Sequence, residues 1–172
     1  MLFSAVCGFL GCEGDGDKSY GFEQIYMPQA ARGEYFKVPD GGGEYTHNFV
    51  VEDGELKIIL CVSRAGSSPY GSYSVNISVD DDATDDFVSR DPTRMVMPNS
   101  IYYLPSEVTV TGLSAGGMFY LVIPTSDLNK AAYNNKILVL CVRIDNPTAY
   151  ELAEDNSMTT VVVDVRQIRD FL

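Results

Sequence analysis

Ser72–Asp80 reads SYSVNISVD and alternates without a break: Tyr73, Val75, Ile77 and Val79 fall on one side, Ser74, Asn76 and Ser78 on the other. Successive side chains of an extended chain point to opposite faces, so a period of two marks a strand with one buried and one solvated face. Glu107–Thr111 repeats the pattern with Val108 and Val110 inward. Thr159–Arg166 repeats it with Val161, Val163 and Val165 inward and Asp164 and Arg166 opposite. Leu56–Ser63 and Lys136–Ile144 are denser apolar runs that suit central strands, and Phe22–Met27, Tyr45–Glu52 and Met118–Ile123 complete the set. All are short, rich in β-branched or aromatic residues, and bounded by Gly, Pro, Asn and Asp. One short helix is expected over Ala83–Ser89, capped by Asp82 and stopped before Pro92. The fold class that follows is all-β: an immunoglobulin-like β-sandwich of about eight strands with one short helix.

The chain has 172 residues, 45% hydrophobic and 21% charged, so it can bury a core and is not a disordered polymer. Its 12 Lys and Arg against 24 Asp and Glu leave a formal charge of −12, a field that repels phosphate and excludes nucleic acid as a partner. A single His and no Trp leave little for metal-triad or Ser-His-Asp chemistry.

Leu2–Gly11 (LFSAVCGFLG) is too short to span a bilayer, which takes about 20 apolar residues, and suits the apolar region of a secretory signal. Its end, Phe9-Leu10-Gly11-Cys12, resembles a bacterial lipobox, in which a small residue precedes a Cys that is lipidated and becomes the new N-terminus. Phe9 stands where Leu is usual, and no Lys or Arg precedes the run. Glu13–Ser19 is acidic, Gly-containing and free of apolar residues, the composition of a flexible tether. The expected organisation is a lipoprotein signal peptide over 1–11, an acidic Gly-rich tether over 12–20 with Cys12 as lipid attachment site, and one sandwich domain over 21–172. An acidic stretch after the lipidated Cys resembles the export signal of Bacteroidetes surface lipoproteins, so the expected address is the outer membrane, lipid-anchored and exposed at the cell surface.

With Cys7 in the signal and Cys12 lipidated, Cys61 and Cys141 remain. Alternation sets Cys61 opposite Leu56, Ile58, Leu60 and Val62, and Cys141 opposite Leu138, Leu140, Val142 and Ile144. Outer faces of two packed sheets are too far apart for a bridge, so reduced thiols are expected; a bridge would need the two strands to be neighbours in one sheet.

Several segments carry a family likeness by their order and spacing: Ile25-Tyr26-Met27-Pro28-Gln29-Ala30, Leu60–Gly66, Tyr73–Asp80 with the Asp-rich helix, Tyr103-Leu104-Pro105, Val108–Gly116 and Asn135–Ile144. Together, over roughly residues 21–147, they resemble a domain family of unknown function found at the N-terminus of surface lipoproteins of gut Bacteroidetes. In that family the domain often precedes a concanavalin/laminin-G-like or family-18 glycosidase-like domain. The resemblance implies an immunoglobulin-like sandwich, export, lipid anchoring and association with glycan-uptake loci, and it carries no catalytic residues. The family shows Leu-Pro in the late strand where this chain has Leu140-Cys141-Val142, so strand pairing is expected to differ there. The residues up to Leu172 hold one more strand and no second domain.

Asp80, Asp81, Asp82, Asp85 and Asp86 form the densest charge cluster. An EF-hand is excluded, because the sixth position from Asp80 is Asp85 rather than Gly and the twelfth is Asp91 rather than Glu. A solvated strand-to-helix loop is the favoured reading over an irregular calcium site, and neither metal nor cofactor is expected. His47 lacks partners for catalysis, nothing selects a carboxylate pair, and Gly41-Gly42-Gly43 lacks the Lys of a phosphate loop. Among the 11 Tyr, the loop groups Tyr70 and Tyr73, Tyr102 and Tyr103, and Tyr133 are the candidate ligand-binding residues, since aromatic faces stack on sugar rings. Two functions stay open. One is a non-catalytic surface lipoprotein that binds or presents polysaccharide beside outer-membrane glycan-import proteins. The other is a structural subunit of a surface assembly with no ligand of its own.

Overall fold

The computed structural model describes residues 23–41, 47–66 and 71–172. Eleven strands run through them: β1 (Gln24–Tyr26), β2 (Phe36–Val38), β3 (Phe49–Glu52), β4 (Glu55–Ala65), β5 (Tyr73–Val79), β6 (Arg94–Val96), β7 (Glu107–Val110), β8 (Gly116–Pro124), β9 (Ile137–Asp145), β10 (Glu151–Leu152) and β11 (Met158–Asp164). Three short helices join them: α1 (Asp81–Ser89), α2 (Thr125–Leu128) and α3 (Val165–Ile168). The signal, the tether, Cys12 and Tyr70 lie outside the described residues.

The strands form two sheets. In the first, β4 is central: β8 pairs along one side of it, while β3 and β1 share the other, and β10 joins β1 in parallel. The turn from β3 to β4 is Asp53-Gly54, with φ of 53° and 75°. Two positive φ values define the tight turn that matches the twist of a hairpin. The second sheet runs β2-β11-β9-β5-β7, with β6 also on β9. The inner faces meet in one core that includes Leu56, Ile58, Leu60, Phe119, Leu121, Ile123, Leu138, Leu140, Val161 and Val163. The architecture is the all-β sandwich that the alternation predicts, with eleven strands rather than about eight among the described residues.

The outer faces of the two sheets differ. On the second sheet, Val139 and Val162 point outward yet are buried, because α1 lays Phe87 over them. Asp80 is the N-cap of α1, its carboxylate accepting from the Ala83 N–H at 2.9 Å, so the cap lies two residues before the expected one at Asp82. Asp80 also pairs with Arg143 of β9, which ties the cap to the sheet below. Cys141 lies under this helix. Its N–H donates to Thr84 Oγ1 at 2.9 Å, and Thr84 Oγ1 donates to the Asp80 carbonyl at 2.7 Å. Pairing of β9 with β5 begins at Val142 and pairing with β6 ends at Val139, so the Cys141 N–H faces a gap that the Thr84 hydroxyl fills. A Pro at this position would have no N–H to offer. Cys61 and Cys141 are free thiols on different sheets, in line with the reduced state expected from their alternation, and the neighbouring-strand arrangement a bridge would need does not occur.

Candidate functional site

Among the described residues, no helix covers the outer face of the first sheet. Its outward residues can be read row by row from the register. Glu52 of β3, Glu55 of β4 and Pro124 of β8 form one row; Val50, Lys57 and Val122 form the next. Tyr103 extends that second row through a two-way backbone bridge to Val122, its N–H donating at 2.8 Å and its carbonyl accepting at 2.9 Å. Directly opposed residues of an antiparallel pair share a face, so Tyr103 stands beside Val122 on the outer surface. Ile59 and Tyr120 follow, then Cys61 and Met118, then Ser63 and Gly116. Tyr103 is 66% exposed, Met118 64%, Val50 40% and Tyr120 38%.

The backbone explains why Tyr103 is held there. Residues 97–106 cross the side of the sandwich. Met97 donates to the Val139 carbonyl in the second sheet, Tyr103 bridges to the first, and the Ser106 carbonyl returns to Ile77 of the second. Buried Met97 and Ile101 anchor this strap, and Tyr102 turns its ring inward against the core. At the other end of the face, Gly116 sits where a Cβ would come within 2.6 Å of the Val62 carbonyl, so only glycine lets β8 close on β4. Beside it, Pro28, Cys61, Ser63, Gly117 and Met118 line a shallow depression of ≈ 270 Å³.

Among the described outward residues from the Val50 row to the Ser63 row, Lys57 carries the single charge, and it is turned back toward the hairpin end. Its Nζ donates to Glu52 Oε1 at 2.7 Å and lies 3.6 Å from Glu55 Oε2. The hydrogen bond to Glu52, then the charges of Glu52 and Glu55, hold its pKa above the ordinary lysine value.

The candidate tyrosines separate on burial. Tyr103 is on the open face and Tyr102 is half-buried beside it. Tyr73 and Tyr133 are corrections to the sequence expectation: they are 2% and 7% exposed and cannot offer a ring to a ligand. Tyr73 continues the inward row of Val75 and Ile77. Its hydroxyl donates to the Ala115 carbonyl at 3.3 Å, and burial pushes its pKa up to about 12. Tyr133 fills the core from a 3-10 turn. Met118 and Tyr120 were not among the candidates, although the Met118–Ile123 alternation sets them opposite Phe119 and Leu121.

The other chemistry-bearing groups are engaged elsewhere. Asp80 is committed to its cap and Arg143, and Asp86 to Arg90 at 2.5 Å. His47 packs between Phe49 and Phe171, with ring centroids 5.0 Å from each. Among the described residues, no group of three or more His, Cys, Asp or Glu is placed to hold a metal ion.

Two sheets, one capped by a helix and the other carrying an aromatic-aliphatic face that no described helix covers, define this chain as an all-β sandwich. Comparison of the sequence with family profiles and with curated proteins finds no match. Solved structures do share the fold, several from Bacteroides among them. A Bacteroides ovatus protein of unknown function aligns with TM-score 0.59 and 14% identity, over 83% of this chain and 52% of its own. A two-domain Bacteroides fragilis protein of unknown function aligns with TM-score 0.56 and 13% identity, over 83% and 45%. A putative carbohydrate binding protein of Bacteroides ovatus aligns with TM-score 0.55 and 11% identity, over 82% and 36%. This chain therefore spans about half or less of the length of these three proteins. None of them is described as an enzyme.

Proposed function

We propose that this domain is a non-catalytic binding module that holds polysaccharide against the outer face of its first sheet. The observation that carries the reading is the bare face itself: Tyr103, Tyr120 and Met118 stand exposed on it, while the corresponding face of the second sheet is sealed by α1. Exposed apolar surface of this kind marks an interaction site. Sugar rings present C–H groups on one side and hydroxyls around the rim. Aromatic faces complement the first, and the Ser63 hydroxyl and phenolic groups can bond the second. The carbohydrate-binding description of one structural neighbour agrees with this reading.

The sequence supports the rest of the proposal. The Gly11-Cys12 junction and the acidic stretch after it point to a lipid anchor at Cys12 and exposure at the outer-membrane surface, within the Bacteroidetes lipoprotein family that the motifs resemble. The partners of such a module are glycan-import proteins of the same membrane. Cys12→Ser should shift the chain from the membrane fraction to the soluble fraction and abolish incorporation of labelled palmitate.

The binding test is native affinity electrophoresis of the full chain, carrying Cys12→Ser for solubility, in gels containing plant, mucin and microbial polysaccharides. Retardation by at least one polymer, lost in Tyr103→Ala and weakened in Tyr120→Ala, is the expected result. Retardation by none of them sinks the reading. It would shift weight to the second one, a surface-assembly subunit docking a protein on the same Met118–Val50 patch.

A further inference from the structure

We propose that the ligand of this face is an uncharged polysaccharide, and that Glu52 and Glu55 enforce the choice by occupying Lys57. The inference rests on the polysaccharide reading above and names its substrate class. From the Ile59 row to the Ser63 row, the outward residues Ile59, Tyr120, Cys61, Met118, Ser63 and Gly116 carry no charge. Among the described outward residues of these rows and the next, Lys57 is the one cation, and its ammonium already faces two carboxylates at 2.7 and 3.6 Å.

An acidic polymer, such as a uronate or a sulfated glycan, would meet no unpaired cation among the described outward residues of these rows. It would approach two carboxylates at the end of the face, within a chain of formal charge −12. Pulling Lys57 over to the polymer would leave Glu52 and Glu55 facing each other without their counter-ion, and like charges juxtaposed in this way work against binding. A neutral polymer meets none of these terms. Its rings lie on uncharged, partly apolar surface, and its hydroxyls need only hydrogen-bonding partners. Specificity of this type comes from repulsion of the wrong ligand as much as from attraction of the right one.

The gel experiment separates this inference from the reading beneath it. Neutral glucans, mannans and xylans should include the polymer that retards the full chain. Polygalacturonate, alginate and heparin should leave it unretarded. Affinity for the neutral polymer should change by less than about twofold between roughly 0.01 and 0.3 M NaCl, because an uncharged ligand offers no ion pair to screen. Glu52→Gln/Glu55→Gln, at two exposed positions, should free Lys57 and gain retardation by polygalacturonate that NaCl removes. Wild-type retardation by an acidic polymer, or failure of the double variant to gain it, overturns the inference while leaving polysaccharide binding in place. Absence of retardation by any polymer removes both.

Discussion

At the scale of single residues, a buried phenol and a half-buried helix cap each tie stability to pH. Tyr73 has a folded pKa of about 12, raised by burial from the ordinary value near 10. A raised pKa means that the folded state keeps its proton longer than the unfolded one. The associated stability is complete below about pH 10 and is lost as pH rises through about 12. Tyr73→Phe should therefore flatten the part of the alkaline stability loss that lies between these values, read from urea midpoints at stepped pH. Its cost at neutral pH should stay at or below about 1 kcal/mol, because the Ala115 carbonyl keeps its bond from the Arg64 N–H at 2.8 Å. Asp80 runs the other way. The Ala83 N–H first, then Arg143, hold its carboxyl below the usual carboxylate value. The stability this gives is present above about pH 4 and is lost as pH falls through the depressed folded value. Asp80→Ala should cost about 1–2 kcal/mol as a lost cap. Asp80→Asn keeps an acceptor for the cap and should cost less. The gap between wild type and Asp80→Asn should close in acid, where the native carboxylate is itself protonated.

At the scale of elements, α1 works as a lid on the second sheet. Phe87 is its plug, packed on Val139 and Val162 with the Arg94 guanidinium 4.0 Å above its ring. Phe87→Ala should cost about 3 kcal/mol, the low end for a buried Phe, since its pocket lies at the surface and can partly close. Circular dichroism in urea reads this directly, as the chain has no Trp to follow. Retention of the polysaccharide-gel shift by the folded variant would show that the two outer faces act independently. The elements were unequally legible in the sequence. β5 and β7 declare themselves by an unbroken period of two, β4 and β8 by dense apolar runs, and β11 by its Val161, Val163 and Val165 alternation, although Val162 between them is buried too, under α1. β2, β6 and β10 have three, three and two residues, too few to show any period, and each is fixed by parallel pairing with a distant strand. The run Asp80-Asp81-Asp82 offers three equivalent caps, and only Arg143, distant in sequence, singles out the first. The site was half legible. Tyr103 follows from loop chemistry, whereas its neighbours Met118 and Tyr120 follow from a contradiction: the outward face of β8 should be polar and is not. Tyr73 belonged with Val75 and Ile77 by its own alternation, and the Tyr-rich loop beside it drew it into the candidate set.

At the scale of the whole molecule, the uncharged face is set in a strongly acidic surround. Twenty-four acidic against 12 basic residues give self-repulsion that folding must overcome, and the described ion pairs offset it only locally. Exposed pairs such as Arg90 with Glu34 contribute little on their own, and salt weakens them too. The long-range repulsion involves many more charge pairs than the contacts do. Raising the ionic strength shortens the Debye length from about 30 Å at 0.01 M to below 10 Å at 0.15 M, and so screens the repulsion across the domain. The melting temperature should therefore rise by a few degrees over this range in NaCl, and a fall would mean that local pairs dominate. Glu52→Gln/Glu55→Gln removes two negative charges but also both partners of Lys57. Because both carboxylates are solvent-exposed, the relief of global repulsion should balance the lost contact, leaving the melting temperature of the double variant within about 2 °C of wild type at 0.15 M salt. Its salt dependence should also be shallower, since the repulsion being screened is smaller. A steep drop in melting temperature at constant salt would instead identify the Glu52–Lys57–Glu55 group as a structural clamp on the β3–β4 hairpin.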